Sequence, residues 1–174
     1  MAATQEALYG ELDLALSWSE RELPERERTK HVHRLHPYLG KFVPQLVEAL
    51  LQRYVRPGGR VLDPFAGSGT TLVQALESGY DAVGVDIAAF NALLVSVKTR
   101  EHDLEALDAD VREVAAQLGA SRERPAGFVR EWFAPQAAAE LLHFRSLIAG
   151  RTSHDVLRVV LARAARSARL TTHF

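Results

Sequence analysis

The chain contains no cysteine, one methionine and no Pro-Pro pair among its seven prolines. Without thiols there can be no disulfide framework, thiolate zinc site or cysteine nucleophile. Such a composition suits a reducing cytoplasm, which is the expected location. No run of about 18 uncharged apolar residues occurs, so no transmembrane helix is expected. Neither sign of charge is in excess. The 21 basic and 22 acidic residues leave a net charge of −1, so a nucleic-acid partner would have to meet a local basic patch. The first residues carry Glu6, Glu11 and Asp13 and no basic region, unlike a secretory leader. His31, His33 and His36 are clustered, but the spacing i, i+2, i+5 matches no helix face or zinc pattern, so no metal is expected.

Hydrophobic residues make up 47% and charged residues 25% of the 174 positions, ordinary values for a globular domain. The 26 alanines and 24 leucines tilt the chain toward helix. The expected organisation is an exposed N-terminal arm over 1–35, a core over 36–100 and a mainly helical extension over 101–174. Val43, Leu46, Val47, Leu50, Leu51 and Tyr54 recur on one face of a 3.6-residue period, which predicts a helix over 43–54 with Pro44 in its first turn. Pro57-Gly58-Gly59 stops it. The short apolar run 60–63 predicts a buried strand, Gly67 and Gly69 a tight loop, 70–78 a helix, 80–85 a second strand and 88–99 another helix. That order predicts a right-handed βαβ unit with a parallel sheet, an α/β fold. Farther on, 101–118 and 135–169 predict helices, with Ser153 as a cap. Residues 128–133 are the one candidate for a further strand.

The informative segment is Asp63-Pro64-Phe65-Ala66-Gly67-Ser68-Gly69-Thr70-Thr71. In an open α/β sheet, ligands bind beyond the carboxyl ends of the strands. Glycines there let the backbone approach a ligand, and the helix that follows points free N–H groups back at it. A Walker-type phosphate loop needs a lysine after its last glycine, and none follows Gly69. A dinucleotide loop needs a third glycine where Leu72 stands. Asp86 ends the second strand, 17 positions after Gly69, where a carboxylate can accept from both hydroxyls of a ribose. A nucleoside without a phosphate grip describes S-adenosyl-L-methionine.

The run from Asp63 to Thr71 resembles motif I of the amino-directed DNA methyltransferases, which methylate adenine N6 or cytosine N4. Gly84-Val85-Asp86-Ile87 resembles their motif II, and His36-Pro37-Tyr38-Leu39-Gly40-Lys41-Phe42-Val43-Pro44 resembles motif X. The resemblance covers about residues 30–100. It implies a Rossmann-like S-adenosylmethionine-dependent fold and assigns the stretch from Asp63 through Pro64, Phe65, Ala66, Gly67, Ser68 and Gly69 to Thr70 to the cofactor. Within it, Asp63, Phe65, Gly67 and Gly69 would line the methionine part. Asp86 would hold the ribose and Ile87 would pack on the adenine. Tyr38 and Lys41 would close the pocket near the cofactor carboxylate, where a positive partner is physically reasonable. DNA is the implied partner, and a place in restriction-modification is implied with it.

The family's catalytic element is a [DNS]-P-P-[YFW] loop that receives the flipped base. With no Pro-Pro pair it is absent from these 174 residues. The expectation is therefore the cofactor-binding part of a larger fold, its catalytic motif lying on a further C-terminal part or a second chain, and no catalytic residue is assigned. An RNA guanine-N2 methyltransferase and a non-catalytic cofactor-binding subunit are the alternatives. Arg163, Arg166 and Arg169 form a basic face that is either a phosphate contact or simply solvated. Trp18, Trp132 and Phe133 are either stacking platforms or core anchors.

Overall fold

The computed structural model describes residues 18, 19 and 21–170. Helix α1 (Glu25–Arg28) is a single turn in the arm, followed by a 3₁₀ turn over His31–Arg34. Helix α2 spans Pro44–Tyr54, with proline in its first turn, where a missing N–H leaves no bond unmade. Strand β1 is Arg60–Asp63, helix α3 Thr70–Glu77, strand β2 Asp81–Gly84 and helix α4 Ala89–Thr99. Helices α5 (Leu104–Gln117), α6 (Gly127–Trp132), α7 (Pro135–Leu147) and α8 (His154–Ser167) complete the described chain.

β1 and β2 pair in parallel, with Val61 opposite Ala82 and Leu62 opposite Val83. This α/β arrangement with a small parallel sheet agrees with the sequence pattern. The strands are less buried than their apolar composition predicts. Val61 and Ala82 pack against Val47 and Leu51 of α2 and Ala75 of α3. Successive side chains on a strand point to opposite faces, and the other face is largely open among the described residues, with Leu62 66% and Val83 48% exposed. Residues 128–133, the other candidate strand, lie within and just beyond α6. Phe133 alone makes an isolated antiparallel bridge, with Arg169. Ser153 stands at the start of α8 without a side-chain cap. Its backbone N–H instead donates to Asp110 on α5 at 2.9 Å.

The C-terminal helices share a core with the βαβ unit. Leu94 and Val97 of α4 pack against Val156 and Val159 of α8, with Leu35 and Phe90 at the margin. A second cluster joins Val114 of α5 to Ile148 and Leu157. Gly84 is held small by its surroundings: a Cβ there would lie 2.7 Å from Leu72 Cδ2 and 3.1 Å from Ala66 Cβ. Gly84→Ala is expected to cost about 1–3 kcal/mol through overpacking, read by denaturant unfolding; an unchanged midpoint would show that Leu72 yields without cost. Among the described residues, no helix is long and apolar enough to cross a membrane.

Candidate ligand site at the strand ends

The loop between β1 and α3 is shaped by two glycines in the left-handed region, Gly67 at φ +51° and Gly69 at φ +79°. Both conformations disfavour a side chain. At Gly69 a Cβ would also lie 2.9 Å from Val95 Cγ2 of α4, and at Gly67 it would lie 3.4 Å from the Tyr38 hydroxyl. Backbone bonds tie the loop to the end of β2. Val85 N–H donates to the Asp63 carbonyl and Ala66 N–H to the Val85 carbonyl, each at 2.9 Å. Asp63 Oδ1 accepts from Phe65 N–H at 3.0 Å. Gly69 then starts α3 with no side-chain cap, so the first-turn N–H groups remain donors at the loop.

A cleft of about 100 Å³ opens beside this loop. Tyr38, Gly40, Lys41 and Phe42 form one wall, and Asp63, Phe65, Ala66, Gly67, Ser68, Thr70 and Thr71 form the other. Eight of the twelve sequence-predicted site residues thus line one small space. Pro64 and Gly69 shape the loop without lining the cleft. Asp86 and Ile87 stand beside it, with the Ile87 side chain fully exposed and the Phe65 ring 87% exposed.

Asp86 acts as a brace. Its Oδ2 accepts from Gly67 N–H and its Oδ1 from Ala88 N–H, both at 2.8 Å, and Oδ1 also accepts from Asn91 Nδ2 at 3.1 Å. The Ala88 N–H, then the Gly67 N–H, hold the carboxyl below the usual aspartate range, and Asn91 adds to them. Asn91 Nδ2 also lies 3.3 Å from the Tyr38 hydroxyl, so one amide joins both walls of the cleft to β2. Asn91 belongs to none of the motifs. Its only signal is its place in the first turn of the helix after Asp86.

Lys41 is half-buried, and its Nζ donates to the His33 carbonyl at 3.2 Å. Burial pulls its pKa down, with Glu25 opposing. His33 is fully buried, its Nε2 3.0 Å from Gln74 Oε1 on α3. Burial likewise favours its neutral form. The basic residues of α8 are partly committed elsewhere: Arg163 Nη1 donates to the Arg34 and Leu35 carbonyls at 2.6 and 3.2 Å. Trp132 stacks on Phe128, with ring centroids 5.1 Å apart, and Phe133 is buried.

The family model described as DNA methylase matches residues 10–93, the stretch that contains both walls of the cleft and the Asp86 brace. Residues 10–93 are thus similar to the DNA methylase family. The match begins some 20 residues upstream of the motif resemblance, within the arm. The chain is 54% identical over 85 residues to the Type II methyltransferase M.MjaII of Methanocaldococcus jannaschii, covering 49% of this chain and 16% of that protein. It is 31% identical over 90 residues to the Type II methyltransferase M.BsoBI of Geobacillus stearothermophilus, covering 50% of this chain and 18% of the relative. It is 33% identical over 92 residues to the putative methylase YubD of Escherichia coli K12, covering 53% and 33%. The chain therefore spans a third or less of the length of these relatives. No solved structure matches it.

Proposed function

We propose that this chain is the S-adenosyl-L-methionine-binding part of a DNA methyltransferase that methylates an exocyclic amino group of adenine or cytosine. The observation that carries the reading is the cleft itself. Tyr38 and Lys41 face a glycine loop and an uncapped helix start across a space of amino-acid size, and Asp86 stands at the adjoining strand end. The donor set suits the cofactor's chemistry. Lys41 and the N–H groups at the start of α3 suit a carboxylate. Asp63 Oδ2 accepts no hydrogen bond among the described residues and suits an ammonium group. The remaining acceptor capacity of Asp86 suits a ribose hydroxyl, and the exposed Phe65 and Ile87 suit an adenine face.

When bound, S-adenosyl-L-methionine supplies a sulfonium methyl group for in-line attack by an amine. The chain's own residues bind and orient: the loop fixes the amino-acid end, and Asp86 fixes the loop against β2. We take the fold as Rossmann-like. Residues 36–100 are its cofactor core, preceded by an arm over 1–35 and followed by helices over 101–174. We place the protein in the cytoplasm with its DNA. Methyl transfer requires a base-receiving loop that these 174 residues do not contain. The test is calorimetric titration of the pure chain with S-adenosylhomocysteine, alongside transfer of radiolabelled methyl groups to DNA. Binding without transfer is expected. Absence of binding overturns the cofactor assignment, and label in DNA overturns the assignment of catalysis to other residues.

A further inference from the structure

Beneath the glycine loop lies a charged group that the binding reading leaves without a task. Lys98, on the inward face of α4, is only 8% exposed, and its Nζ donates to the Ser68 carbonyl at 2.7 Å. Among the described residues no carboxylate lies within ion-pair distance of it. A methionine would fill the same space without desolvating a charge, so packing alone does not explain a lysine here. Such a conflict with core chemistry is expected where a group serves a site. Ser68 is itself buried between the two left-handed glycines and lines the cleft on its other side.

We propose that Lys98 is a positioning residue: through the Ser68 carbonyl it holds the glycine loop in its ligand-binding shape and sets a positive charge beneath the carboxylate end of the bound cofactor. The inference rests on the cofactor reading above. Burial, then the nearby Lys41 charge, lowers the Lys98 pKa to about 8. The other charged and titratable groups near it come from several elements. Lys41 and His33 stand on one wall of the cleft and the turn before it. His33 and His36 both feel the Lys98 charge, and around them Arg163 and Arg166 of α8 act on His36 and Glu77 at the end of α3 acts on His33. Burial keeps both histidines neutral near pH 8, and the arginines do not titrate there. An anion binds better to the protonated lysine, so affinity should hold below about pH 8 and weaken as pH rises through it. Anion binding should also raise the Lys98 pKa and draw in a proton.

The test measures S-adenosylhomocysteine affinity from pH 6.5 to 9.5 for the full chain and for Lys98→Met, Lys98→Gln and Lys41→Met, with proton uptake read from calorimetry in two buffers. Lys98→Met should melt no lower than the parent, bind about tenfold more weakly at pH 7, and show a shallower fall in affinity above pH 8 and a smaller proton uptake than the parent. Lys98→Gln keeps a donor for Ser68 without the charge. It should recover part of the affinity but not the parent's steeper fall above pH 8. Equal affinity and an equal pH profile for parent and Lys98→Met overturn the inference while the cofactor reading stands. So does loss of the proton uptake in Lys41→Met with its retention in Lys98→Met. A parent chain that binds no S-adenosylhomocysteine overturns both.

Discussion

Asp86→Ala is expected to weaken S-adenosylhomocysteine binding by about tenfold or more. The carboxylate fastens the glycine loop through Gly67 N–H, the start of α4 through Ala88 N–H, and the Tyr38 wall through Asn91. Alanine leaves three donors without their acceptor and removes the oxygen proposed to meet the ribose. Asp86→Asn is the sharper variant, because one carboxylate oxygen becomes an NH₂ that must face a backbone N–H. Calorimetry on folded variants decides the matter, and unchanged affinity in both would remove Asp86 from the site. The pH dependence has a definite sign. The folded carboxyl titrates below its ordinary value of 3.8, so its contribution is complete above that value. It fades as pH falls through the lower folded pKa. The Asp86 carboxyl carbon shift, followed by NMR in acid, should therefore move later than that of an exposed aspartate.

Leu94→Ala is expected to lower stability by about 2–5 kcal/mol, the usual result of emptying a fully buried leucine site. For a chain of this size that is a fall of roughly 5–20 °C in Tm. Leu94 has no exposed surface and packs with Val97, Val156 and Val159. Its loss therefore loosens α4 on the β2 side and α8 at once. Because that cluster crosses the boundary near residue 100, the variant should unfold in one transition by calorimetry. A loss under about 1 kcal/mol would mean the site collapses around the gap. Two separate transitions would mean that the helices beyond residue 100 fold on their own.

Much of the local structure follows from local chemistry. The run from Pro44 to Tyr54 carries its own apolar face and its own initiating proline, and the strands before Gly67 and Asp86 are short and apolar with glycine punctuation. Their helix and strand limits lie within a residue or two of the sequence pattern. Other features depended on distant partners. Residues 128–133 are aromatic and β-branched enough for a strand, yet 127–132 coil into a helix whose Phe128 and Trp132 stack one turn apart. The burial of β1 and β2 could not be judged from composition, since it depends on what covers each face. α2 and α3 cover the Val61–Ala82 face.

The same division runs through the site. Tyr38, Lys41, the loop from Asp63 to Thr70 and Asp86 were legible because spacing, glycine placement and residue chemistry are properties of the chain itself. Asn91 and Lys98 were not, because an asparagine or a lysine on a helix becomes informative only through what it meets. Asn91 meets Tyr38, 53 positions away, and Lys98 meets Ser68, 30 positions away. By itself the sequence determined which backbone must bend, which helix must begin at the loop and which acid must end the strand. Only tertiary packing decided that Asp86 would brace the loop and that a lysine charge would lie beneath it. Hydrogen-bond partners and desolvation are set by neighbours in space, and the order of residues along the chain does not record them.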